Sequence, residues 1–257
     1  MKPVKLCTAL AAALLLAAPM VSFAQEAEAP AAEEEESPIS WTLAATTDYV
    51  FRGVSQTNED PAFQAGITYT TPFGLYVGVW GSNVDFGDPD PEAGIRGPNF
   101  EVDGYVGYNT DLNDSWNLDV SVVRYAYFGE TSGQGSIDYN EYIGKLTWNG
   151  PVSVSGLVAY ANDYGNSEAD ELYTALSASY EVGYGITLGA STGYTSIEAE
   201  EGGRADYFDG SFTASKSFGP GTLSVGYYDT FGSDADELKD ASDIYDDRIV
   251  ATFTIAN

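Results

Sequence analysis

The stretch SWNLDVSVVRYAYF, residues 115–128, alternates apolar and polar side chains over most of its length. One face of an extended strand would carry the apolar residues and the other the polar ones: Trp116, Leu118, Val120 and Val122 against Asn117, Asp119 and Ser121. Successive side chains of a β-strand point to opposite faces, so this period of two predicts a strand with one apolar and one polar face. Aromatic residues, Trp116 and Phe128, stand near its two ends.

The same period recurs along the chain and predicts twelve strands, at residues 40–52, 62–71, 74–84, 99–110, 115–128, 137–149, 151–162, 170–182, 184–196, 206–218, 221–231 and 245–256. Segment 170–182, for example, opposes Leu172, Leu176, Ala178, Tyr180 and Val182 to Glu171, Ser177, Ser179 and Glu181. Most segments exceed the ~5–6 residues usual in soluble sheets and approach the ~9–11 that a tilted strand needs to cross a bilayer.

Short and long connections alternate between these strands. The short ones are residues 71–74, 109–114, 149–151, 182–185 and 218–221, and the long ones are 53–61, 85–98, 129–136, 163–169, 197–205 and 232–244. An up-and-down barrel with short turns on one rim and long loops on the other produces this alternation. The sequence therefore predicts an all-β fold, a twelve-stranded antiparallel up-and-down transmembrane β-barrel with short periplasmic turns and longer acidic extracellular loops. A soluble, exported β-protein is the alternative.

The N-terminal residues differ from the rest of the chain. Lys2 and Lys5 precede an apolar stretch that ends at a small-residue cleavage pattern, so we expect residues 1–24 to be a signal peptide cleaved after Ala24. Residues 25–39, rich in Glu, Ala and Pro, are predicted to be a disordered acidic tail, and residues 40–257 the barrel. The single cysteine, Cys7, lies in the leader, so we expect no disulfide in the mature chain.

Composition excludes several function classes. The net charge of −29 would repel nucleic-acid phosphates, so we expect no nucleic-acid partner. The chain contains no histidine, which removes Ser-His hydrolases and His-ligated zinc. The Asp-rich stretches 87–94 and 233–247 could bind calcium or magnesium, but they lack EF-hand spacing and favour solvated loops. We expect no catalytic residue, no cofactor and no metal site.

The alternation also assigns inward-facing side chains. In the first segment the outward set is Trp41, Leu43, Ala45, Thr47, Tyr49 and Phe51, and the inward set is Ser40, Thr42, Thr46, Asp48, Val50 and Arg52. The pore-lining candidates are Asp48, Arg52, Glu101, Asp103, Tyr105, Glu141, Lys145, Asp209 and Arg248. Arg52 is either a charge-paired or solvated rim residue that only holds the barrel wall, or part of a charged constriction. Arg124 and Lys216 fall on outward faces, as interface anchors or because of a bulge.

Acidic residues dominate the inward set. Eight carboxylates (Asp48, Glu101, Asp103, Asp119, Glu141, Glu171, Glu181 and Asp209) oppose three cations (Arg52, Lys145 and Arg248). Such a lumen would concentrate cations and disfavour anions, which predicts a passive channel for small hydrophilic solutes or cations. A closed structural or partner-binding barrel is the alternative, because interior side chains can fill a barrel of this size.

Three blocks of sequence carry a resemblance to a known family. DYVFRGVSQT with PAFQAG (48–57 and 61–66), GLYVGVWGSNVDF (74–86) and FEVDGYVGY (100–108) occur in the order found in TorF-type porins of proteobacteria, which the chain resembles. The resemblance implies an outer-membrane protein that passes small solutes, in contact with outer-membrane lipid and lipopolysaccharide. It implies no particular solute and no particular oligomeric state.

Overall fold

The computed structural model describes residues 37–87, 92–131, 136–199 and 204–257. The predicted signal peptide and the predicted acidic tail as far as residue 36 lie outside the described residues. In the part of the chain that is described, no helix is long and apolar enough to cross a membrane.

The described residues form fourteen strands and one α-helix. The strands are β1 (Ile39–Thr46), β2 (Val50–Phe51), β3 (Val54–Ser55), β4 (Ala62–Thr70), β5 (Leu75–Asn83), β6 (Phe100–Asn113), β7 (Trp116–Phe128), β8 (Tyr139–Asn149), β9 (Ser153–Ala161), β10 (Ala169–Gly183), β11 (Ile186–Ala199), β12 (Arg204–Phe218), β13 (Gly221–Phe231) and β14 (Arg248–Ala256). Helix α1 (Ser233–Ala241) and two 3-10 turns, Tyr164–Asn166 and Asp243–Tyr245, lie in the long connections.

Twelve of the strands close into one antiparallel barrel, while β2 and β3 pair with each other in a separate small sheet. The barrel closes at β1, where Thr46 lies opposite Ala62 on β4 and opposite Thr252 on β14. Closure satisfies the backbone hydrogen bonds of every barrel strand, which is what a sheet in lipid requires. The predicted twelve-stranded barrel is confirmed, and every strand after the first has boundaries within three residues of those predicted.

Side chains are sorted in the opposite sense to those of a water-soluble β-protein. Apolar residues on the outer surface stay exposed, as in Leu176 at 63% and Phe212 at 71%, whereas the inward carboxylates of Glu101 and Glu141 are buried. A soluble domain buries its apolar face and keeps charges in water, so this inside-out arrangement favours a barrel surrounded by lipid.

Aromatic side chains mark both ends of the outer surface. Trp116 lies opposite Trp148 next to the short turns, and Phe100 lies opposite Phe128 next to the long connections. All four are exposed on the outer surface. Amphipathic and aromatic rings favour the headgroup level of a membrane, so these rings fit the interfacial girdles of outer-membrane barrels.

The prediction of a first strand over residues 40–52 is wrong beyond Thr46. The chain leaves the barrel wall after Thr47, and residues 48–57 turn into the lumen, where β2 and β3 form a short hairpin. Tyr49, predicted to face outward, is 1% exposed and packs on Trp80 inside the barrel. Phe51, also predicted outward, packs near Tyr125. Tyr49, Val50 and Phe51 are successive apolar residues that break the two-residue period, as expected of a strand packed on both faces, but this run does not show where the chain turns.

The last long connection also differs from its prediction as a loop. Residues 233–241 form helix α1, and Tyr245 belongs to a 3-10 turn, so the final strand begins at Arg248 rather than at residue 245. Acidic residues Asp234 and Asp236 lie in the first turn of the helix and Lys239 in the last, an order that suits the helix dipole.

The two outward-facing cations do not mark a bulge. Neither Arg124 on β7 nor Lys216 on β12 interrupts the register of its neighbouring strands. Arg124 is exposed and donates to Asp138 at 3.1 Å (Nη2 to Oδ2). The structure therefore shows no bulge at Arg124 or Lys216, and both are surface side chains on regular strands.

Candidate functional site

The inner hairpin, residues 48–57, is the feature that fills the lumen near the long connections. Its turn is made by Arg52 and Gly53, whose φ angles are 50° and 82°. Positive φ at both central positions is typical of the two-residue turns that match the twist of paired strands. A Cβ on Gly53 would lie 2.7 Å from Thr230 Cγ2 and 2.9 Å from Asp209 Cβ, so the turn is seated directly against β12 and β13.

The base of the inner hairpin is held by a buried carboxylate. Asp48 Oδ1 accepts hydrogen bonds from the hydroxyls of Ser55 at 2.7 Å and Thr57 at 2.9 Å. Asp48 Oδ2 lies 2.9 Å from Nη1 of Arg248, the first residue of β14. The remaining guanidinium donors of Arg248 reach the carbonyl oxygens of Asp243 and Asp246. The same ion pair therefore joins the hairpin, the last strand and the connection that precedes it.

The tip of the inner hairpin reaches the far wall of the barrel. Arg52 Nη2 donates to Glu141 Oε1 at 2.6 Å, and Nη1 lies 3.0 Å from Glu171 Oε1. These carboxylates are on β8 and β10, which flank β9, and β9 is six positions from β1 in either direction around the barrel. The hairpin that starts next to β1 thus spans the lumen.

The flanks of the inner hairpin pack on aromatic side chains of the wall and of the last connection. Tyr49 makes an edge contact with Trp80, with ring centroids 5.4 Å apart, and Phe51 lies 6.2 Å from Tyr125. On the other side Val54 is buried with Tyr207 and with Ala235 of helix α1. Helix α1 therefore covers part of the hairpin, and Val54 is buried between this helix and the wall.

Two buried carboxylates on β6 have no cation beside them. Glu101 is 2% exposed and Asp103 is 0% exposed. Among the described residues, neither forms an ion pair, and both oxygens of Asp103 and Oε2 of Glu101 lack a hydrogen-bond partner. The two lumen arginines are engaged elsewhere, with Glu141 and Glu171 or with Asp48. Two carboxyl groups of the lumen wall therefore lie close to the inner hairpin without a basic partner among the described residues.

The half of the lumen next to the short turns is polar and hydrogen-bonded. Asp119 accepts from the Tyr76 hydroxyl at 2.8 Å and from Asn109 at 2.9 Å, and lies opposite Lys145 on the neighbouring strand. The Tyr105 hydroxyl is 2.6 Å from that of Thr68. These contacts hold side chains against the wall below the hairpin.

The nine pore-lining candidates all lie on the lumen side, but in separate groups. Asp48 pairs with Arg248 and Arg52 pairs with Glu141, while Asp209 lies 3.4 Å from the Tyr173 hydroxyl. Glu101, Asp103 and Tyr105 share the inward face of β6, and Lys145 lies next to Asp119. The contacts of Ser55, Thr57 and Tyr173 could not be predicted from the sequence, since hydroxyl and aromatic residues of this kind occur throughout the chain.

No group of three or more acidic, histidine or cysteine side chains that could hold a metal ion is found in the described residues. Of the Asp-rich stretches, residues 88–91 lie outside the described residues, and residues 233–247 fold as helix α1 and the following 3-10 turn.

A closed twelve-stranded barrel with an apolar outer surface and a charged lumen defines the class of porin-like β-barrels. The chain belongs to the family Gcw_chp, described as bacterial proteins of unknown function, whose sequence model matches residues 31–256. No curated protein matches the chain in sequence.

Solved structures of porins are similar in fold. KdgM porin matches with a TM-score of 0.55 at 8% identity, over 84% of this chain and 98% of that one. NanC porin matches with a TM-score of 0.49 at 13% identity, over 85% of this chain and 97% of that one. At these identities the KdgM match establishes the likeness in fold only.

Proposed function

We propose that this protein is a channel of the bacterial outer membrane through which small hydrophilic solutes diffuse passively, with a modest preference for cations. The observation that carries the proposal is the closed barrel with an apolar exterior and a lumen of buried polar and charged side chains. Outer-membrane channels have a polar interior of this kind, which admits water and polar solutes. The resemblance to TorF-type porins supports the same function.

The preference for cations follows from the charges that the lumen leaves uncompensated. Arg52 and Arg248 are each held by carboxylates, and Glu101 and Asp103 have no basic partner among the described residues. A ring of carboxylates attracts cations and repels anions. Salt weakens this effect, since screening acts over ~8 Å at physiological ionic strength.

The inner hairpin is the proposed constriction. It crosses the lumen from the β1 side to Glu141 and Glu171, and its flanks pack on wall aromatics. Solutes would pass beside this hairpin or when it moves. Its buried contacts also favour the second candidate function, a closed barrel that stabilises the envelope or binds a partner without conducting.

The proposed function includes export and membrane contacts. We propose that residues 1–24 are removed during export and that the apolar outer surface, bounded by Trp116, Trp148, Phe100 and Phe128, contacts outer-membrane lipid. Acidic long connections would meet lipopolysaccharide through bridging divalent ions. No reaction chemistry is proposed, and no nucleic-acid partner.

Single-channel recording of the refolded mature chain, residues 25–257, in planar bilayers under a KCl gradient tests this function. We expect discrete conductance steps and a reversal potential displaced toward the potassium equilibrium potential, less so as salt rises. A silent bilayer that contains verified, folded barrels would favour the closed structural alternative. Steps with equal or anion-favouring permeability would retain the channel and remove the cation preference.

A further inference from the structure

The side chain of Arg52 lies in a small site, the guanidinium box, formed by Glu141, Glu171 and Tyr173. The two carboxylates face the guanidinium at 2.6 Å and 3.0 Å, and its Cζ lies 4.2 Å from the centroid of the Tyr173 ring. Tyr125 donates its hydroxyl to the second oxygen of Glu141 at 3.1 Å, which fixes that carboxylate. Carboxylates at the edges and a ring over the face are the groups that recognise a planar guanidinium.

The guanidinium box has more acceptor capacity than Arg52 uses. Oε2 of Glu171 is buried and has no hydrogen-bond partner among the described residues, although the residue is only 2% exposed. Arg52 Nη1 lies near Glu171 but makes no well-directed hydrogen bond. A buried acceptor without a donor is costly, so a ligand with more freely placed N–H groups would be favoured at this position.

The backbone of the hairpin turn limits how well the Arg52 side chain fits the guanidinium box. Its backbone has a φ of 50°, a left-handed conformation that is uncommon for a residue with a side chain, and Gly53 is pressed against β12 and β13. The orientation of the guanidinium is therefore limited by the hairpin turn. A free cation of the same chemistry has no such restriction.

We propose that the guanidinium box is a binding site for cationic solutes that carry a guanidinium group, and that Arg52 is its built-in competitor. The inference rests on the proposed function, because such a solute reaches the box through the lumen. The carboxyl groups of Glu101 and Asp103 on β6, which have no basic partner among the described residues, would draw it there.

Competition with the Arg52 guanidinium determines the solute concentration at which the guanidinium box is filled. A group held on a short flexible linker acts at an effective concentration on the order of millimolar, and a group on a packed turn acts at a higher one, so a solute needs at least that concentration to displace Arg52. Removing the Arg52 side chain empties the box and removes the competitor. A small guanidinium ion should then bind more tightly. General destabilisation of the protein by the substitution would instead weaken the binding.

The test is calorimetric titration of ethylguanidinium chloride into the folded, detergent-solubilised mature chain. We expect Arg52→Ala to bind this ion about tenfold or more tightly than wild type, and the same variant with Glu141→Gln and Glu171→Gln to lose that gain. Tetramethylammonium chloride has the same charge but no N–H donors, and should show no gain. Arg124→Ala, which removes an exposed outward arginine, should bind as wild type does.

Equal affinities for wild type and Arg52→Ala, absence of saturable binding to Arg52→Ala, or an equal gain for tetramethylammonium would overturn the inference. If Arg52→Ala fails to fold, as judged by heat-dependent electrophoretic mobility, Arg52→Gln removes the same charge with less loss of packing and is measured against the same criteria. Because calorimetry does not depend on conduction, failure of the guanidinium box can be distinguished from failure of the proposed channel. A conducting barrel without the binding gain rejects the guanidinium box alone, and a silent barrel rejects the channel.

Discussion

Asp48 and Arg248 lie 200 residues apart and form a buried ion pair of 2.9 Å at the seam where the first and last strands close the barrel. Both side chains are 7% exposed. Asp48 begins the inner hairpin and Arg248 begins β14, so closing the barrel and placing the hairpin depend on the same contact. The first strand and the lumen insertion are therefore expected to lose order together.

Arg248→Ala should destabilise the protein because it leaves the Asp48 carboxylate buried without its cation. Breaking a buried pair from one side costs about 3 kcal/mol or more, and removing both charges costs less. We expect Asp48→Asn combined with Arg248→Ala to recover part of the loss. The free energy of unfolding, measured by urea denaturation of the barrel in vesicles, checks both values. Equal stability of wild type and Arg248→Ala would contradict the assigned contact.

Gly53→Val should displace the tip of the inner hairpin from β12 and β13. The new Cβ would clash with Thr230 and Asp209, at 2.7 Å and 2.9 Å, and a β-branched residue disfavours a φ of 82°. Gly165→Val is the matched control, since Gly165 also has a positive φ, 61°, but no heavy atom within 4 Å of its added Cβ. Chymotrypsin cleavage after Tyr49 and Phe51 should accelerate in Gly53→Val alone. Equal cleavage rates in the two variants would show that the hairpin is not held at its tip.

Glu101→Gln with Asp103→Asn should reduce cation selectivity. The double variant removes two buried carboxylates that have no cation beside them among the described residues. Glu168→Gln with Asp170→Asn removes the same charge from exposed positions, where salt screens it over ~8 Å. Reversal potentials under a KCl gradient should fall toward zero for the first pair and change little for the second. Equal shifts for both pairs would place the selectivity outside the lumen.

Leu176→Arg should destabilise the barrel in lipid. Leu176 lies in the middle of β10 and is 63% exposed on the outer surface, where an arginine at the bilayer midplane costs about 3 kcal/mol. Leu112→Arg is the control near the short turns, where the cost falls to about 1 kcal/mol or less. Unfolding in lipid vesicles measures both. If the two substitutions cost the same, the outer surface does not face hydrocarbon.

The barrel wall was predictable because each wall strand repeats a two-residue period with one partner on either side. Residues 115–128 were predicted and 116–128 form β7, and Glu101, Asp103 and Glu141 face inward as the period requires. The path of the inner hairpin was not predictable, because the successive apolar residues Tyr49, Val50 and Phe51 break the period without showing where the chain turns. The hairpin is held at its tip by Arg52 with Glu141 and at its base by Asp48 with Arg248, contacts 89 and 200 residues apart that leave no local pattern.

The constriction of the lumen by the inner hairpin is tested most directly by the single-channel conductance of Arg52→Ala beside wild type and Arg124→Ala, all with the same folded fraction and the same salt. Arg52 fastens the hairpin across the lumen, whereas Arg124 is exposed on the outer wall and pairs with Asp138. We expect a larger unitary conductance for Arg52→Ala and an unchanged one for Arg124→Ala. Identical conductance in all three proteins would contradict a lumen constricted by the inner hairpin.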